Sequence, residues 1–154
     1  VARHYVQTFD LRRRCSLYQT YYRYGDTRKR GMAMVVLKTA YRDAGFVPSD
    51  HELPDYLPMV LDFAALCPRG ERLLTGHRPD LELLRRALVE AESPYAEVVA
   101  AVTASLPKLG KYELDRVRAA VESGPPTEDV GLEPFAPPEY ITGYGAAAQN
   151  WGHT

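Results

Sequence analysis

The chain has 154 residues, 45% of them hydrophobic and 25% charged, with a formal net charge of −1. That is one domain's length with a single core, and a near-zero charge supplies no overall field for gathering nucleic acid or anionic lipid. No apolar run approaches the roughly 20 residues of a membrane-spanning helix, no signal-peptide pattern opens the chain, and Cys15 and Cys67 lie far apart without a CxxC pair, which reads as free thiols in a reducing, cytoplasmic compartment.

Over residues 4–22, Leu11, Cys15, Tyr18 and Tyr22 recur at helical spacing while Val6, Phe9 and Tyr21 supply a second apolar edge. The spacing predicts a first helix buried on most sides. Asp26 or Thr27 then serves as N-cap for a helix whose stripe is Ala33, Leu37, Ala40 and Ala44, flanked by Met34 and Tyr41, with Gly45 as its stop. In HELPDYLPMVLDFAALCP, from His51, the prolines resist interior helical positions, so the next helix is expected to start near Asp55, with Pro58 in its first turn. Its stripe is Leu57, Val60, Leu61 and Ala64, and CPRG closes it, followed by a broken turn around residues 70–79.

Asp80 is the expected cap of a helix that places Leu81, Leu84, Leu88 and Ala91 on one face. After Ser93 and Pro94 the stripe Tyr95, Val98, Val99, Val102 and Leu106 makes another helix, ended by Pro107, and Leu114, Val117 and Val121 make a last one. No window alternates cleanly enough for a strand. The fold class is therefore all-α, a single-domain helical bundle over residues 1–124. Residues 125–154 hold five of the twelve prolines and four of the eleven glycines, which excludes regular helix and predicts an extended or disordered tail.

Chemistry-bearing patterns are sparse. His4, His51, His77 and His153 form none of the close pairs of a tetrahedral metal site, and there is no nucleophile elbow or glycine-rich phosphate loop. We expect no metal, no cofactor of its own and no catalytic residue. The basic clusters at residues 12–14 and 28–30 motivate one alternative, a helical nucleic-acid-binding or transcription-associated module, although each cluster spans about one helical turn. Eleven tyrosines against four phenylalanines and one tryptophan tilt the aromatic content toward rings with a polar tip, which suit a half-wet groove receiving a peptide or helix.

YVQTFDLRRRCSLYQTYYRYGDTRKRGMAM followed by ELPDYLPMVLDFAA resembles the NarJ branch of the TorD/DmsD/NarJ family of redox-enzyme maturation proteins, strongly over residues 4–70 and loosely beyond. The family carries a Glu-Pro-x-Asp-His signature in a loop entering a helix. Glu52, Pro54 as the variable position and Asp55 match it, while Leu53 replaces its proline and Tyr56 its histidine. The resemblance implies an all-helical cytoplasmic chaperone, not an enzyme, that binds the N-terminal segment of the catalytic (alpha) subunit of respiratory nitrate reductase until its molybdenum cofactor is inserted and the enzyme is assembled at the membrane. It implies no nucleic-acid partner and no stable membrane insertion, and it allows a homodimer hinged near residues 46–50. Chains of this branch extend further at the N-terminus, so earlier helices are expected ahead of Val1. On that reading Glu52 and Asp55 face the client's basic residues, Tyr56, Met59 and Phe63 form one binding face at helical spacing, and Phe9, Tyr18 and Tyr22 form the opposite wall.

Overall fold

A computed structural model describes residues 2–49 and 51–126, and every regular element in them is helical. In chain order these are α1 (Ala2–Tyr5), which runs into a π turn (Val6–Asp10), a 3₁₀ turn (Arg13–Cys15), α2 (Tyr21–Tyr24), α3 (Arg28–Asp43), α4 (Leu57–Leu66), α5 (Pro68–Gly76), α6 (Arg78–Glu90), α7 (Tyr95–Ala104) and α8 (Lys111–Ser123). The all-α expectation holds. Of the expected tail, residues 127–154 lie outside the described residues.

α6 is the hub. Leu81, Leu84 and Leu88 are fully buried and meet Leu57 and Val60 of α4, Leu74 of α5, Ala96 and Val99 of α7, and Cys15 and Tyr22 from the N-terminal segment. Burying each such leucine contributes about 1.5–3 kcal/mol. A second cluster forms where Tyr41 of α3 and Phe46 close over Phe63, with ring centroids 4.3 and 5.3 Å away. The expected stripes mostly face inward, but Val98 on α7 is exposed and Ala96 takes the buried position instead.

Two expectations are corrected. The predicted helix over residues 4–22 is broken: Arg12 and Ser16 adopt extended backbone, and an antiparallel bridge joins Tyr18 to Tyr56. The Gln19 amide donates to Asp55 O (3.0 Å) and the Leu57 amide to Leu17 O (2.8 Å), while the Tyr22 hydroxyl donates to the carbonyls of Arg14 and Ser16 that a helix would have used. Pairing across the fold therefore overrides local spacing. Second, residues 68–76 form a helix rather than a broken turn, with Pro68 at a tolerated first position. Gly70, read as a breaker, is a packing residue, since a Cβ there would collide with the Phe63 carbonyl on α4.

Boundaries shift for related reasons. α4 begins at Leu57, with Tyr56 in extended backbone as its N-cap, rather than near Asp55. Asp80 is not a cap but lies inside α6, where its buried carboxylate accepts from His77 Nδ1 (2.8 Å) and pairs with Arg23 of α2 (3.0 Å). As expected, α3 ends at a glycine with positive φ, Gly45 (81°).

Glu82 on α6 accepts from Arg85 (2.9 and 3.1 Å) and Arg86 (3.0 Å). Burial raises its pKa, but the two guanidinium groups outweigh burial and hold the carboxyl at about 2 against an ordinary 4.5. The folded value is the lower one, so the contribution is present above about 4.5 and is lost as pH falls toward about 2. We predict that urea midpoints fall over that window and that Glu82→Gln flattens the fall; a variant with the same pH slope as the parent would contradict the assignment.

Candidate functional site

The entry to α4 and the extended residues 17–20 are fastened together from below. Asp55 is fully buried, and its Oδ2 accepts from the Thr20 amide (3.1 Å) and the Thr20 hydroxyl (2.6 Å), with Arg30 Nη2 at 3.6 Å. A carboxylate taken out of water is tolerated only with such partners. From the other side the Tyr41 hydroxyl donates to Pro54 O (3.1 Å) and so ties α3 to the same loop.

Above this clamp opens a cleft of about 430 Å³. Its floor is the bridge pair Tyr18 and Tyr56, with ring centroids 5.6 Å apart. The Tyr18 hydroxyl donates to Glu52 Oε1 (3.0 Å), and the Tyr56 hydroxyl is hydrogen-bonded to that of Tyr5 (3.2 Å). Tyr5 continues the wall by packing on Phe9 (4.9 Å), which meets Tyr95 of α7 edge-on at 5.0 Å. His4 helps dock α1, since its Nε2 lies 3.0 Å from Ser93 Oγ. Burial, followed by the bond to Glu52, pushes the Tyr18 hydroxyl up to about 12, and the bond to Tyr56, followed by burial, raises Tyr5 as well. Both phenols therefore stay neutral at physiological pH.

The rim carries both signs of charge. The Arg30 guanidinium sits over Tyr18 (5.7 Å) and Tyr21 (5.9 Å) and pairs with Asp26 (3.5 Å). Arg12, Arg13, Asp10 and Glu52 also line the opening. The arrangement offers apolar ring faces, neutral hydroxyl donors and fixed charges. Among the described residues no cluster of His, Cys, Asp and Glu is placed to hold a metal ion, and no helix is long and apolar enough to cross a membrane.

Of the residues singled out from the sequence, the structure brings Phe9, Tyr18, Glu52 and Tyr56 together around the cleft. Asp55 lies beneath it as the clamp. Tyr22 is in the core and lines a different groove, between α6 and α8. Met59 is half-buried on α4 outside the cleft lining, and Phe63 is packed under Tyr41 and Phe46. The three residues expected on one face diverge because Tyr56 precedes the helix in extended backbone, so helical spacing does not apply to it. Sequence reasoning missed Tyr5 and Arg30 as cleft residues. The tyrosine excess pointed toward the first, whereas the second was visible only as part of a basic cluster.

A family model described as nitrate reductase delta subunit matches residues 1–101, from α1 into α7. The chain is 50% identical over 103 residues to the nitrate reductase-like protein NarX of Mycobacterium tuberculosis, covering 66% of this chain and 16% of NarX. It is 35% identical over 122 residues to the probable nitrate reductase molybdenum cofactor assembly chaperone NarJ of Bacillus subtilis, covering 78% of this chain and 65% of that protein. With the nitrate reductase molybdenum cofactor assembly chaperone NarJ of Escherichia coli the figures are 38% over 94 residues, 60% and 40%. The chain thus spans less than two thirds of the length of each of these relatives.

The buried position of Asp55 predicts that it acts on stability first. Asp55→Ala leaves the Thr20 amide and hydroxyl without their acceptor and Arg30 without one of its two carboxylate partners, a loss of about 1–3 kcal/mol or more. We expect a clear drop in Tm and faster hydrogen exchange at the amides of residues 17–20. An unchanged Tm would show that the clamp is dispensable.

Proposed function

Because the chain belongs to the nitrate reductase delta subunit family, we propose that its cleft binds the N-terminal segment of a nitrate reductase catalytic subunit and holds it while the molybdenum cofactor is inserted. The observation that supports this best is the aromatic cleft built by Tyr5, Phe9, Tyr18 and Tyr56 with acids and arginines among its lining residues. An amphipathic client segment would lay apolar side chains on the ring faces. Its basic residues would meet Asp10 and Glu52 and its acidic ones Arg12 and Arg13. On this reading the chain is a cytoplasmic chaperone rather than an enzyme, and the cofactor belongs to the client.

Calorimetry with a synthetic peptide of the catalytic subunit's N-terminal segment from the same organism, beside a scrambled control, tests the proposal. We expect saturable binding of the native peptide alone. Central aromatic anchors typically account for about 1–3 kcal/mol, so Tyr56→Ala and Phe9→Ala should each weaken binding by about tenfold to a hundredfold while circular dichroism stays unchanged. Equal affinity of the parent and both variants would remove the cleft as the binding site.

A further inference from the structure

A second groove runs between α6 and α8, and Gly124 and Pro125, near the end of the described chain, are among the residues that line it. Its floor is apolar, made by Tyr22, Leu83, Ala87, Ala120 and Val121, and its rim carries Arg13, Arg14 and Arg86. Gly124 (φ 74°) turns the chain at the end of α8, and Pro125 lines the groove beside those arginines. Pro126 then lies so close over Gly25 that a Cβ at position 25 would collide with the Pro126 carbonyl. Glycine at position 25 thus permits this close approach of the chain leaving α8.

Beyond Pro126 the charge is one-sided. Residues 127–154 contain four acids, Glu128, Asp129, Glu133 and Glu139, and no lysine or arginine, so all 19 basic side chains of the protein lie before them. Glu128 and Asp129 are two and three residues past Pro126, within about 7–10 Å of it. Arg13 and Arg14 are well exposed (84% and 63%), and their partners Asp26 and Glu90 stand at 3.8 Å and are exposed too. Such pairs hold little energy and exchange readily for a better acceptor. Val130, Leu132 and Phe135 are interleaved with the acids and match the apolar floor in kind.

We propose that residues 127–139 are the occupant of this groove, an intramolecular ligand whose acids engage Arg13, Arg14 and Arg86 and whose Phe135 covers the floor. This contact lies in a different groove from the client cleft and uses a partner within the same chain, although Arg13 lines both.

Amide NMR of the full chain at low salt tests it. The groove amides of Ala87, Ala120 and Val121 are compared between the parent and a variant carrying Glu128→Gln, Asp129→Asn, Glu133→Gln and Glu139→Gln. Docking predicts restrained amides at residues 128–139 in the parent, release in the variant, matching shifts at the groove, and the same release in about 0.5 M salt. Arg13→Glu with Arg14→Glu should also release the segment, and adding Glu128→Arg with Asp129→Arg should restore it. Should the arginine variant fail to fold, the tail variant decides alone, since its substitutions lie beyond α8. Fast-moving tail amides in the parent together with superimposable groove amides would overturn the proposal. So would groove shifts that grow with protein concentration, which would assign the groove to a second copy.

Discussion

The buried carboxylate of Asp55 is the constraint on which the site depends. A charge out of water is costly unless donors converge on it, and here the Thr20 amide, the Thr20 hydroxyl and the Arg30 guanidinium do so. Satisfying it pulls residues 17–20 out of any helix and lays them beside the entry to α4, where two backbone hydrogen bonds form the bridge of Tyr18 with Tyr56. The same group draws Arg30 inward, which places its guanidinium over the Tyr18 and Tyr21 rings. One ion therefore sets the floor and part of the rim of the cleft. The acidic residue of the α4 entry works as a fastener of the wall, and its neighbour Glu52 is the acid that reaches the opening.

A second buried carboxylate completes the fastening. Asp80 on α6 holds Arg23, only three residues beyond Thr20, and is itself held by His77. The short stretch between Thr20 and Arg23 is thus gripped from α4's entry on one side and from α6 on the other, and Tyr22 enters the core between the two. Local helical propensity cannot do this for α2, which is a single turn and far below the length that is stable alone. Its placement comes from ions and from the hub helix, so the cleft is fastened at both ends although the chain forming it is largely irregular.

The same division decides how much was legible in the sequence. Apart from α5, the helices from α3 onward carry apolar stripes long enough for periodicity to reveal them, and the fully buried Leu81, Leu84 and Leu88 were legible from spacing alone. Residues 4–22 carry the same kind of spacing but do not form one helix, because the deciding partners lie some 35 residues away in sequence at Asp55. α5 was hidden for a different reason. Gly70 reads locally as a breaker, whereas its absent side chain serves the backbone contact with Phe63 on α4. At the cleft, Phe9, Tyr18, Glu52 and Tyr56 were identifiable from residue type and motif. That Phe63 turns inward was not, because its direction depends on where α4 begins.

The choice of tyrosine over phenylalanine in the cleft follows from the same economy of buried polar groups. A phenylalanine pair at positions 18 and 56 would pack equally well but would leave Glu52 Oε1 with only the Leu53 amide and Tyr5 without its hydroxyl partner. With tyrosine each ring is held at both its face and its tip. Because burial and hydrogen bonding raise the Tyr5 and Tyr18 hydroxyls, they add directional donors without adding charge. The fixed charges around the opening are those of Asp10, Glu52, Arg12, Arg13 and Arg30. On the proposed client-binding reading the two tasks are separated in space: neutral rings would reward apolar contact of almost any sequence, and the rim would decide which charge pattern can approach them.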